Sequence, residues 1–157
     1  MHKKFILILT LLIITSCGFH IRDMKEISFK RVSLEGKELG LTKKLKKLLN
    51  KNSVDIVRPS ENPELRIEFF SEENEKRILS LSGQGLVGEY EIFYRVLYRT
   101  KTSDSQSWSE NNILETRRDF TFTDASLLGK QEEERRLLES MADEAITNLF
   151  NQIQIIK

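Results

Sequence analysis

Residues 88–100 read GEYEIFYRVLYRT, an order that fixes how this stretch must lie. Tyr90, Ile92, Tyr94, Val96 and Tyr98 fall at every second position, with Glu89, Glu91, Phe93, Arg95, Leu97 and Arg99 between them. Side chains on a strand alternate between its faces, so the first set makes a clean apolar face and the second a mixed one. Ten or so extended residues span about 33 Å, longer than the usual strand. The remainder of the chain must cover the apolar side.

The other segments supply partners for that strand. After the polar turn TKTSDSQSWSENN, the stretch ILETRRDFTFTD returns with Leu114, Thr116, Arg118, Phe120 and Phe122 in register, which predicts a hairpin with a long polar loop. Trp108 sits near the loop tip, where local packing is the first reading and use at an interface the other. Upstream, LRIEFF (65–70) alternates and ILSLS (78–82) resumes the pattern beyond a charged SEENEKR, so 65–82 is a strand pair or one long strand with an irregular middle. ISFKRVSL (27–34) puts Ile27 and Phe29 in one phase and Val32 and Leu34 in the other, as a bulged strand would. Pro59 and Pro63 mark a loop after a short strand start in SVDIV.

Two helices complete the inventory. LTKKLKKLLNKN carries Leu41, Leu45, Leu48 and Leu49 at i, i+4, i+7 and i+8, backed by Lys43, Lys44, Lys46, Lys47 and Lys51. Its lysine face suits either solvent or anionic lipid. From about Leu127 to Ile153 a second apolar stripe includes Leu138, Met141, Ala145, Ile146, Leu149 and Phe150, with Asp124 or Ser126 placed to cap it and Gly129 near its start. Its length is about 25 residues, or nearly 40 Å. Helices with one stripe and strands with one apolar face predict an α+β two-layer sandwich: a mixed, mostly antiparallel sheet of about four strands, with both helices on one face. The strand-helix-strand start favours a parallel pair.

The N-terminus has a different character. Lys3 and Lys4 precede an apolar run from Phe5 to Ile14, and Thr15 and Ser16 lead into Cys17, the layout of a secretory signal. The apolar run is about half the roughly 20 residues that a spanning helix needs. ITSC (14–17) resembles a lipobox, which implies cleavage before Cys17 and a covalent diacylglycerol and N-acyl lipid on its sulfur and amine. A non-lipidated signal, or a signal anchor, with an ordinary free thiol is the other reading. As the single cysteine, Cys17 has no disulfide partner within the chain. Two or three acyl chains suffice for stable anchoring, and Gly18, where an aspartate would retain a lipoprotein at the inner membrane, implies the periplasmic side of the outer membrane. The expected organisation is a leader at 1–16, a lipidated tether at 17–26 and one domain at 27–157. Loss of the leader removes Lys3 and Lys4 from 25 Lys+Arg set against 24 Asp+Glu, leaving a net charge near minus one and nothing global that would attract nucleic acid.

Catalytic chemistry is scarce. Beyond the leader there is one histidine, His20, three residues from Cys17, and the soft and imidazole ligands for a zinc site are missing. Glu132, Glu133 and Glu134 are consecutive on a predicted helix and so point in different directions. GQGLVG (83–88) is followed by neither the Lys-Ser/Thr pair nor the helix of a phosphate loop, and reads as a turn into a strand. No cofactor, metal or enzymatic activity is expected.

Several motifs in order carry a resemblance: CGFHIRD at 17–23, GEYEIFYRVLYRT in the centre, and RRDFTFTDASLLGKQEEERRLLESMADEAITNL as last strand and closing helix. The set resembles the LptE family, the lipopolysaccharide-assembly lipoproteins of Gram-negative outer membranes. The resemblance implies a plug inside the LptD β-barrel that supports its assembly and contacts lipopolysaccharide on its way to the outer leaflet. It places Lys130 at a basic position of the family pattern, as a phosphate contact. Near ILSLSGQG, where the family has a basic residue, this chain has Ser82 and Gly83, with Lys76 and Arg77 nearby to substitute. Glu89, Glu91, Phe93, Arg95 and Leu97 would then face the barrel wall. Two other classes stay open: an independent lipid-binding carrier facing the periplasm, which needs a large apolar cavity, and a lipid-anchored hydrolase uniting His20 with a Ser and an Asp.

Overall fold

The computed structural model describes residues 29–122 and 127–153, the side chains of 127 and 128 excepted. The leader, Cys17, His20, Ile27 and the candidate caps Asp124 and Ser126 lie outside the described residues. In chain order the elements are β1 (Arg31–Gly36), α1 (Gly40–Lys51), β2 (Asp55–Ile56), a 3-10 turn (Pro59–Glu61), β3 (Leu65–Leu81), β4 (Val87–Thr102), β5 (Asn112–Thr121) and α2 (Leu127–Ile153).

The strands form one sheet in the order β2-β1-β3-β4-β5. β1 runs parallel to both β2 and β3, and the β3–β4 and β4–β5 pairs are antiparallel. The fifth strand beyond the four expected is β2, two residues that start where SVDIV had predicted a short strand. The phase break before β1 is a bend at Lys30 ahead of the strand, so Phe29, Val32 and Leu34 all meet the core without a bulge in β1.

Residues 65–81 are one strand, and its irregular middle has a definite cause. Pairing with β4 slips between Phe69 and Ser71, leaving Phe70 as an extra residue. Leu65, Ile67 and Phe69 face the helices below the bulge; above it the even positions Glu72, Asn74 and Lys76 take over that face, opposite Val96, Tyr94 and Ile92. A second irregularity follows Ile78.

Both helices cover the same side. Leu41, Leu45 and Leu49 of α1 and Met141, Ala145, Ile146, Leu149, Phe150 and Ile153 of α2 join Val32, Ile67, Phe69, Ile92, Tyr94, Val96, Tyr98, Leu114 and Phe120 in one buried cluster. Lys44 on α1 ties the helices together through Asp143 at 2.7 Å. The turn into α1 needs Gly36: its φ is +83°, and a Cβ there would lie 2.2 Å from the carbonyl oxygen of Phe69. That carbonyl accepts from the Lys37 amide at 2.9 Å, holding the turn against β3.

The N-terminus of α1 is closed by a residue from the sheet. Glu72 Oε2 accepts from the Leu41 amide at 3.2 Å, while Glu72 Oε1 accepts from the Tyr94 hydroxyl at 2.7 Å. A carboxylate at a helix N-terminus meets the positive end of the dipole and an otherwise unpaired N–H. Burial and this carboxylate together push the Tyr94 phenol far above its ordinary range.

Candidate functional site: a paired-charge sheet face and a basic aromatic end

Among the described residues nothing packs over the other side of the sheet, and the mixed residues of the strands meet there. Glu35 accepts both guanidinium bonds of Arg66, at 2.6 and 2.7 Å. Glu68 binds Arg99 at 2.6 Å, Glu75 binds both Arg77 and Arg95, and Arg95 reaches on to Glu115 at 2.5 Å. Glu91 faces Arg117 at 3.3 Å, and Glu89 accepts from Ser80 at 2.7 Å. Apart from Arg77–Glu75, which lies along β3, the pairs run between β1, β3, β4 and β5 as cross-strand neighbours. Hydrogen bonds from Arg77 and then Arg95 hold Glu75 below the ordinary carboxylate range, and Arg66 does the same to Glu35.

Aromatic rings lie beneath these charges. Phe93 is 5% exposed although no helix of the described residues covers its face, because the guanidinium carbons of Arg77 and Arg95 each sit 4.6 Å from its ring centroid. Trp108 folds back from its loop onto the sheet, with Arg66 of β3 at 4.9 Å and Arg99 of β4 at 4.7 Å from its ring. Arg99 also lies 5.3 Å from Phe70, the bulged residue. Of the five residues singled out for a wall contact, Glu89, Glu91, Arg95 and Leu97 share this face with Phe93, and what Phe93 presents outward is its arginine cover.

The three basic residues singled out divide between the faces. Lys76 and Lys130 meet on the helix side at the end of the sheet remote from β2: their ammonium groups lie 5.4 and 5.3 Å from the same ring, Phe120. Lys76 is also 4.3 Å from Tyr90 and 5.9 Å from Phe122, rings that pack edge to face at 5.5 Å. Arg77, the next residue, projects to the open face. The bulge at Phe70 decides this division, since without the phase change Lys76 and Arg77 would exchange sides. Each ammonium already has one carboxylate, Lys76 with Glu134 at 2.6 Å and Lys130 with Glu133 at 2.8 Å. An ammonium has three donors, so both retain capacity for a further anion.

Beyond this basic end the β3–β4 hairpin projects an apolar tip. Ile78, Leu79, Leu81 and Leu86 are between 46% and 60% exposed around a turn in which Gly85 has φ +77° and its amide donates to Ser82 at 2.9 Å. Sequence reading identified the lysines and the turn but not the Tyr90–Phe120–Phe122 platform, whose rings come from two strands and the residue after the second. The signal for the tip was present: four apolar residues flank a Gly-rich turn with no helix near in sequence to cover them.

No curated protein sequence matches the chain significantly. Solved structures do. The crystal structure of rare lipoprotein B from Shewanella oneidensis is similar with a TM-score of 0.71 at 24% identity, over 78% of this chain and 92% of that one. The solution structure of an uncharacterized lipoprotein B from Nitrosomonas europaea matches at 0.74 and 29% identity, over 88% and 92%. A minor lipoprotein from Acinetobacter baumannii shares the fold at 0.62 with 19% identity, over 82% and 92%. A sequence model described as LptE, lipopolysaccharide-assembly, matches residues 29–153, which span all eight elements described above. The chain therefore belongs to the LptE family of lipopolysaccharide-assembly proteins.

Proposed function

We propose that this chain is held to the periplasmic side of the outer membrane by lipid on Cys17, seats its open sheet face against the inner wall of the LptD β-barrel, and contacts lipopolysaccharide with its basic end. It acts by binding and scaffolding rather than by catalysis.

The observation that carries this reading is the asymmetry of the sheet. One side is closed by two helices over a continuous apolar cluster, and the other presents ordered polar pairs and, among the described residues, no covering element. A barrel lumen is polar, so a partner face built from guanidinium and carboxylate groups suits it better than an apolar one. Length points the same way: β3 has 17 residues, about 56 Å when extended, against an outer apolar band of about 25 Å on a membrane barrel. A hairpin of that reach can line a barrel from mouth to mouth.

At the basic end, Lys76 and Lys130 offer charge-assisted donors for phosphate, and the apolar tip supplies surface for acyl chains next to them. A free carrier would need an interior apolar cavity, whereas the space between sheet and helices holds one continuous cluster of side chains. Photo-crosslinkers placed in living cells at Arg95 and Leu97 on the open face, and at Lys76, Lys130 and Leu81 at the basic end, test both contacts. Barrel adducts are expected from the first pair and glycolipid adducts from the second set. Barrel adducts arising from exposed positions of the helices and none from Arg95 or Leu97 would overturn the proposed orientation.

A further inference from the structure

α1 carries five lysines and no carboxylate, and the barrel and lipopolysaccharide contacts proposed above use none of them. Lys44 is paired with Asp143 at 2.7 Å and Lys46 with Glu38 at 3.6 Å. Lys43, Lys47 and Lys51 are exposed, follow one another at intervals of four residues along one stripe, and have no carboxylate within 4.0 Å among the described residues. Between α1 and α2 lies an open groove of about 530 Å³, with Leu48 and Ile146 as its apolar part and Lys44, Lys47 and Lys51 along one edge. Asp143, already bound to Lys44, and Thr147 complete it.

The position of this stripe in the fold selects its partner. α1 ends at Lys51, and after a tight turn Asp55 donates its amide to the Lys30 carbonyl at 2.8 Å. The basic end of the helix therefore lies where the chain enters the domain from its N-terminal segment. From Cys17 to Lys30 is 13 residues, at most about 45 Å of chain. With Cys17 lipidated, an assumption shared with the proposed function, the stripe stays within one tether length of the leaflet at high effective concentration.

We infer that Lys43, Lys47 and Lys51, with the groove beside them, bind the anionic phospholipid headgroups of the leaflet that holds the anchor, laying the tether end of the domain on the membrane. Three unpaired ammonium groups on one helix face complement a negative leaflet surface, and the Leu48–Ile146 floor accommodates the glycerol end of a headgroup between them.

The test uses the full mature chain, lipidated, in vesicles of phosphatidylcholine alone or with about one third phosphatidylglycerol, and reads each lysine by limited amine acylation and mass spectrometry. Lys43, Lys47 and Lys51 should react about five-fold more slowly on the anionic vesicles, recover in high salt as screening sets in, and leave Lys37 and Lys76 unchanged. The K43Q/K47Q/K51Q variant replaces exposed side chains only, and should abolish the slowing at Lys44 and Lys46 that accompanies docking. Equal rates on both vesicles, or protection only when lipopolysaccharide is added, would overturn the inference. Flotation on phosphatidylcholine reads the anchor separately. A chain that floats there with equal labelling loses the phospholipid site and keeps the anchor. A chain that does not float loses the anchor, and the site then stands only if phosphatidylglycerol vesicles still capture it through the three lysines.

Discussion

Glu72→Ala separates the helix layer from the sheet at one point, and its cost follows from two hydrogen bonds. The Tyr94 hydroxyl donates to Glu72 at 2.7 Å in a residue only 2% exposed, so removing the carboxylate leaves a buried donor without a partner, at about 1–3 kcal/mol. The same carboxylate accepts from the Leu41 amide at the start of α1, and loss of a negative charge there adds about 0.3–1 kcal/mol. The expected total is about 2–3 kcal/mol, a fall in melting temperature of about 8–12 °C for a domain between the 100- and 150-residue classes. Tyr94→Phe removes the donor itself and should cost less, about 1 kcal/mol. The double variant should be less destabilised than the sum of the two by at least about 1 kcal/mol, because deleting both partners leaves no orphan. Urea unfolding of the four proteins followed by circular dichroism measures the cycle. A Glu72→Ala loss below about 0.5 kcal/mol, or strict additivity in the double variant, would refute the assignment of Glu72 as the link between layers.

Three further outcomes are expected. Thr116 is 4% exposed and its Oγ1 has no hydrogen-bond partner among the described residues, so the near-isosteric Thr116→Val should raise stability by about 1 kcal/mol in the same urea assay, and a loss would show that the hydroxyl is satisfied in solution. Gly36→Ala should destabilise by about 2 kcal/mol or more, since φ is +83° and the new Cβ would meet the Phe69 carbonyl at 2.2 Å; an unchanged urea midpoint would contradict the tight turn. The Arg66 guanidinium holds Glu35 below its ordinary 4.5, so the pair's stability is fully present above that pH and is lost as pH falls through the lower folded value. Arg66→Gln should therefore flatten the acid side of a stability-against-pH curve below 4.5, and an unaltered acid slope would reject the linkage.

How much of this was legible in the sequence depends on the range of the interaction that decides each feature. The faces of β4 follow from neighbours two residues apart, and Ile92, Tyr94, Val96 and Tyr98 are all buried as the alternation demanded. The α1 stripe is equally local, with Leu41, Leu45 and Leu49 fully buried. SVDIV marks the start of β2, but two residues carry too little periodicity to count as a member of the sheet, and that membership rests on pairing with Arg31 and Val32. The bulge at Phe70 is set by the register against β4, a non-local fact, yet it decides that Lys76 rather than Arg77 joins Lys130 over Phe120. Family resemblance pointed to Lys130, with Lys76 and Arg77 as nearby substitutes for a missing basic residue; only the fold could show that Lys76 and Arg77 lie on opposite faces.

The open sheet face also explains why so many charges are present where they stabilise so little. The Arg77–Glu75 pair and the Arg117 end of Arg117–Glu91 are open to solvent, where screening leaves an ion pair little net stabilisation. Their physical effect lies in what they cover. Phe70, Phe93 and Trp108 would otherwise present three aromatic rings on an uncovered sheet, a surface prone to association. Arginine stacked over each ring removes that hazard while the chain is alone, and its planar fork still has donors beyond those given to Glu75, Glu68 or Glu35. A partner that brings its own acceptors to this face gains hydrogen bonds without first breaking the internal pairs. A partner with an apolar face would have to bury them unrewarded. The same arrangement that shields the rings thus favours a polar partner surface over an apolar one.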